Sequence, residues 1–195
     1  MTVEIPLFPL NTVLFPGGPL LLRIFEPRYL DMISRCLQQG SCFGVVAIKQ
    51  GSEIGAADTF RVGTLAEIVD WRQETDGVLG ITAAGRGCFE IEQASRQQDG
   101  LYVGQVKLLD SELAVSLPPE HAPLSSLLRK LLSLAGHYGD IGTAYDDASW
   151  VGYRLAEIAP LPLPAKQLLL ETRDALARLE QLRASLRTAA DRGRD

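Results

Sequence analysis

Three cysteines, two histidines and a few closely spaced acids are the residues with which this chain could do chemistry, and their spacing limits what that chemistry is. Cys36, Cys42 and Cys88 form an odd set with none of the C-x-x-C spacings that zinc sites use, so they read as reduced, structural thiols. A Cys88 nucleophile assisted by His121 or His137 would have to be assembled in space, and no local signature around Cys88 supports it. Glu90 and Glu92 lie two apart on a strand-like segment and so face the same way, but no histidine or third acid stands near them to complete a metal site. Gly85-Arg86-Gly87 and Gly51-Ser52-Glu53-Ile54-Gly55 lack the strand-to-helix context that aligns backbone amides on a phosphate, and read as turns. There is no Gly-Lys pair and hence no G-x-x-x-x-G-K-[ST] loop. The expectation is a chain with no catalytic residues, no cofactor and no metal.

Binding remains. The start of the first predicted helix gathers Glu26, Arg28 and Asp31 beside Phe25 and Tyr29. Apolar groups rimmed by charge are what a peptide-binding surface requires, which makes these five residues the candidate substrate-binding set. The other reading places Phe25 and Tyr29 in the core and the charges in solvent. Acids outnumber bases 13 to 9 before residue 111 and 11 to 10 after it, for a net charge of -5. Neither part has the basic footprint of a nucleic-acid binder. Arg173, Arg178, Arg183, Arg187, Arg192 and Arg194 are interleaved with Glu171, Asp174, Glu180, Asp191 and Asp195, the pattern of a solvated helix face. Arg23, Lys49 or prolines interrupt the longest apolar runs, short of the roughly 20 residues that cross a bilayer. The N-terminus lacks a basic n-region and a small-residue cleavage site, so a cytoplasmic location is expected.

The elements that must position these groups fall into two regions. Pro6 and Pro9 flank Leu7 and Phe8, which favours an extended segment at a sheet edge, since proline donates nothing to a ladder. Pro16-Gly17-Gly18-Pro19 supplies a reversal. A helix is predicted over Glu26–Gln39, with Tyr29, Met32, Ile33, Cys36 and Leu37 on one face and Gly40 as its stop. Strand-length segments follow at 42–48, 61–71, 78–84, 87–94 and 101–109, with hairpin dipeptides at Asp76-Gly77 and Asp99-Gly100. Short strands joined mostly by hairpins suggest a small closed or half-closed barrel.

Past Leu117-Pro118-Pro119, leucine and alanine replace valine and isoleucine, and helices are predicted at 123–137, 148–158 and 164–190. Prolines 160, 162 and 164 separate the last two. The division expected is residues 1–115 as a barrel subdomain and 116–195 as a helical bundle with a long C-terminal helix. That last helix carries Leu169, Leu176, Leu179 and Leu186 on heptad seats, with Thr172 and Arg183 on the others. Such a seam serves either core packing or pairing with a second copy as a homodimer.

Three blocks resemble the N-terminal, substrate-recognition domain of the ATP-dependent Lon proteases, in family order. Residues 5–33, IPLFPLNTVLFPGGPLLLRIFEPRYLDMI, are similar to that domain's strand, FPG turn, PL-rich strand and helix start. Residues 60–91, FRVGTLAEIVDWRQETDGVLGITAAGRGCFEI, resemble its run of strands, with Cys88 where a basic or small residue is usual. Residues 150–171, WVGYRLAEIAPLPLPAKQLLLE, resemble its helical junction.

The resemblance implies an α+β fold, a PUA-like pseudobarrel with one inserted helix followed by a helical bundle. It implies recognition of unfolded, misfolded or degradation-prone polypeptide, with a full-length ATP-dependent protease as a further partner. Without a phosphate loop or a lysine-activated serine domain, a stand-alone and non-catalytic module is expected. Because PUA-like barrels in general often bind RNA, an RNA-binding module is the alternative, and the acidic balance argues against it.

Overall fold

The computed structural model describes residues 2–53, 57–134 and 142–192, and divides the chain into two compact units, Met1–Ser111 and Glu112–Asp195. The first unit is built from β1 (Thr2–Leu10), β2 (Pro19–Ile24), α1 (Pro27–Gln39), β3 (Phe43–Gly51), β4 (Ala57–Thr59), β5 (Val62–Gln73), β6 (Leu79–Arg96) and β7 (Tyr102–Leu108). The sheet runs β1-β7-β6-β5-β3-β4, and a parallel pairing of β1 with β3 closes it into a barrel. The remaining strand, β2, lies antiparallel on the first half of β6.

β1 is not the edge its prolines suggest. Thr2–Leu7 pair with β7 and Leu7–Leu10 with β3, so the strand changes partner at Leu7 and closes the barrel. Pro6 and Pro9 are tolerated because each has a neighbouring strand on one side only. The segments 78–84 and 87–94 are likewise one continuous strand, β6. Gly85 is a point of close approach rather than a turn: a Cβ there would collide with the Phe15 carbonyl. The two hairpin dipeptides form as expected, with Gly77 at φ 83° and Gly100 at φ 88°.

Pro27 opens α1 and Gly40, at φ 58°, ends it. Its buried face, Tyr29, Met32, Ile33 and Cys36, packs into a core with Phe8, Leu14, Ile24, Phe43, Ile81 and Leu101, while Leu37 is exposed. A second cluster, Leu7, Val46, Phe89, Ile91 and Val106, fills the other part of the barrel.

The second unit contains α2 (Ala122–Leu134), α3 (Ala148–Ile158), α4 (Leu163–Glu171) and α5 (Ala175–Arg192). Asp147 caps α3, its Oδ1 accepting from the Ser149 and Trp150 amides at 2.7 and 3.1 Å. Val151, Leu155 and Ala156 of α3 are fully buried with Leu128, Leu179 and Leu182.

The single helix predicted over 164–190 is two. Asp174 accepts from the amides of Leu176 and Ala177 at 2.8 and 3.1 Å and so starts α5. The buried Arg178 guanidinium takes up the loose end of α4, donating to the carbonyls of Leu169 and Thr172. It also forms a two-armed ion pair with Glu112 and lies 3.8 Å from the Tyr153 ring centroid. The break interrupts the leucine seam between Leu169 and Leu176.

Candidate functional site

β2 alternates cleanly. Leu20, Leu22 and Ile24 turn toward the core, whereas Leu21 and, just past the strand, Phe25 are 65% and 64% exposed. Arg23 also points outward but is engaged, its guanidinium paired with Asp76 on the β5–β6 hairpin. The Val78 amide, and then Arg23, hold the Asp76 carboxyl below its usual range, which favours the carboxylate. The outward face is left to Leu21 and Phe25.

A groove of about 250 Å³ runs beside β2, lined by Phe8, Leu10, Leu21, Leu22, Arg23, Ile24, Phe25, Glu26, Tyr29 and Glu53. Its floor is apolar and buried: Phe8, Leu10, Ile24 and Tyr29. On the other side of Leu21 lies a second groove of about 290 Å³, walled by Trp71 with Asp70, Arg72 and Glu74. Trp71 is 59% exposed and its neighbour Val69 53%. Leu21 borders both grooves, so the exposed apolar groups form one surface rimmed by charge.

The five candidate residues separate into layers. Phe25, Glu26 and Tyr29 line the first groove, Phe25 at its lip and Tyr29 in its floor, while Asp31 is exposed and outside the lining. Tyr29 packs on Phe8 with ring centroids 3.9 Å apart. Burial, partly opposed by Arg28, pushes its phenol up to about 12 and keeps it neutral. Arg28 lies beneath, donating to the Gly100 carbonyl at 2.7 Å, the Glu53 carbonyl at 3.1 Å and Glu26 Oε2 at 2.9 Å. It ties the start of α1 to two loops and orients Glu26 on the rim. Sequence reasoning did not single out Phe8, Leu10, Leu21, Leu22 or Trp71. The apolar run Leu20–Leu22 gives no sign of which of its residues faces outward.

The candidate chemical groups are placed otherwise. Cys36 and Cys88 are buried, and burial raises the thiols of Cys36 and Cys42, which disfavours the reactive thiolate. His121 is buried with Nε2 3.4 Å from Glu180 Oε1, and His137 lies outside the described residues. Glu92 accepts a hydrogen bond from Thr2 and Glu90 lies 4.0 Å from Arg61. Among the described residues no group of three or more His, Cys, Asp or Glu could hold a metal ion, and no helix is long and apolar enough to cross a membrane.

Residues 4–188 match the family model of the ATP-dependent protease La (LON) substrate-binding domain. The fold is similar to the crystal structure of a Lon N-terminal domain protein from Xanthomonas campestris, with TM-score 0.80 and 37% identity over 93% of this chain and 98% of that one. Lon protease 2 of Myxococcus xanthus is 26% identical over 90% of this chain, and protein cereblon of Xenopus tropicalis 31% identical over 66% of it. The chain spans 22% and 29% of those two proteins' lengths.

Proposed function

We propose that this chain, which belongs to the ATP-dependent protease La (LON) substrate-binding domain family, recognises unfolded polypeptide through the surface formed by Leu21, Phe25 and the groove between them and Tyr29. One observation carries the reading: two large apolar side chains stand 65% and 64% exposed at the lip of a groove whose floor is apolar. Leaving them in water forgoes about 2 kcal/mol each that burial would give. An unfolded client, whose own apolar groups are exposed, restores that burial, whereas a native client keeps them inside.

The role proposed is non-catalytic, since the groove presents no activated nucleophile and its one phenol is held neutral. In this reading the chain works in the cytoplasm and delivers or withholds clients from a full-length ATP-dependent protease. The test is fluorescence anisotropy with labelled α-lactalbumin, once native and once reduced and carboxymethylated so that it cannot refold. Binding of the unfolded form at least about tenfold tighter is expected, a difference of about 1.4 kcal/mol. Equal affinity for both forms would overturn the reading. Binding to RNA that falls steeply with salt would favour nucleic-acid recognition instead.

A further inference from the structure

We infer that the client is held by its main chain as well as its side chains, as an added β-strand on the free edge of β2. This rests on the polypeptide-recognition reading above and specifies how that surface works.

The hydrogen-bond parity of the sheet shows which groups are available. Bonded pairs alternate along an antiparallel ladder. The Glu74 amide donates to the Val78 carbonyl at 2.8 Å, so Gly80 and Thr82 of β6 bond toward β5, leaving Leu79, Ile81 and Ala83 to bond toward β2. At the other end, the Gly85 amide donates to the Gly18 carbonyl at 2.8 Å, which sets the same phase. Leu20, Leu22 and Ile24 therefore use their main-chain groups on β6. Those of Leu21 and Arg23 point the other way, where no described strand pairs with β2.

Such an edge is normally blunted by lysine, proline, a bulge or a covering element. β2 has proline only at its first residue, its register on β6 is unbroken, and its one charged side chain is drawn to Asp76. The apolar groove lies alongside this strand.

The occupant that fits is a short extended segment of unfolded polypeptide with apolar side chains on one face. Main-chain pairing is indifferent to sequence, and a folded protein has already committed its main-chain groups. An added strand thus selects unfolded over native chains by a criterion that side-chain contact alone does not supply. Of the groove's charged groups, Arg23 is paired with Asp76 and Glu26 with Arg28, which leaves the negative charge of Glu53 and favours a segment carrying lysine and no acid.

The test uses the full chain and a labelled peptide, Lys-Val-Ser-Val-Ser-Val-Ser-Lys, whose alternation fixes which face meets the groove. Two further versions carry N-methyl groups, one on the valine amides and one on the serine amides. Only one set of alternate amides faces the host strand, so one version should lose about tenfold or more in affinity and the other should bind as the parent does. Loss in both versions or in neither would overturn strand addition and leave polypeptide recognition standing. If the parent peptide fails while carboxymethylated α-lactalbumin binds, strand addition is likewise wrong; if both fail, the recognition reading falls with it. Concentration-dependent dimers in sedimentation, with β2 amides protected before any peptide is added, would assign the edge to a second copy and overturn the proposal.

Discussion

Arg28 donates from Nη1 to the carbonyl of Gly100, 72 residues away, at 2.7 Å. This buried contact fixes the start of α1 against the β6–β7 hairpin, and the same guanidinium holds Glu26 on the rim of the groove. Arg28→Met should therefore take this donor from the Glu53 carbonyl and the Glu26 carboxylate, leave the Gly100 carbonyl only Arg96 at 3.3 Å, and cost about 3 kcal/mol in urea unfolding. Arg28→Lys should recover only part of this, because one ammonium cannot reproduce the planar fork.

Arg178 plays the equivalent part in the helical unit, closing the end of α4 while paired with Glu112. Arg178→Met is expected to lower stability by about 3–5 kcal/mol and to reduce helical circular dichroism. Glu112→Gln, which keeps an acceptor for the guanidinium, should cost less.

Tyr29 gives a pH dependence with a definite sign. Its phenol titrates near 12 in the folded barrel and near 10 when unfolded. The stabilisation is fully present below pH 10 and is lost as pH rises from 10 toward 12, because only the unfolded chain then releases the proton. The melting temperature should fall over this window more steeply for the wild type than for Tyr29→Phe, with the two converging in slope at neutral pH.

Gly85→Ala would place a methyl group against the Phe15 carbonyl, a backbone atom with little room to move. A loss of about 2 kcal/mol or more is expected in thermal unfolding. Gly87→Ala, two residues on, has open space at its Cβ and should be nearly neutral by the same measurement.

These contacts also mark where local pattern is informative and where it is not. Gly40, Asp76-Gly77 and Asp99-Gly100 act through their own backbone, and each ends or turns the chain as its type predicts. α3 occupies 148–158 as read from its flanking residues. The break at 172–174 contains neither glycine nor proline; it depends on Arg178 reaching back to Leu169 and Thr172, a tertiary contact with Asp174 as its only local sign. The Gly85-Arg86-Gly87 segment reads as a turn because glycine has two uses, and only the position of Phe15 tells which applies. In the groove, Phe25 and Tyr29 are alike in sequence yet one is exposed and the other buried, since α1 begins between them and turns Tyr29 onto Phe8. The outward position of Leu21 is not legible in the sequence, because an apolar run in a strand conceals which residues face outward until its partner is known.

The most direct test of recognition through the β2 surface is hydrogen–deuterium exchange of the full chain, with and without excess carboxymethylated α-lactalbumin. The account predicts slowed exchange in residues 19–26, abolished by Leu21→Ser/Phe25→Ser, a double variant whose stability should stay within about 1 kcal/mol of wild type because both side chains are largely exposed. Protection confined to 62–66 or to the helices from 122 onward, or persisting in the double variant, would contradict it.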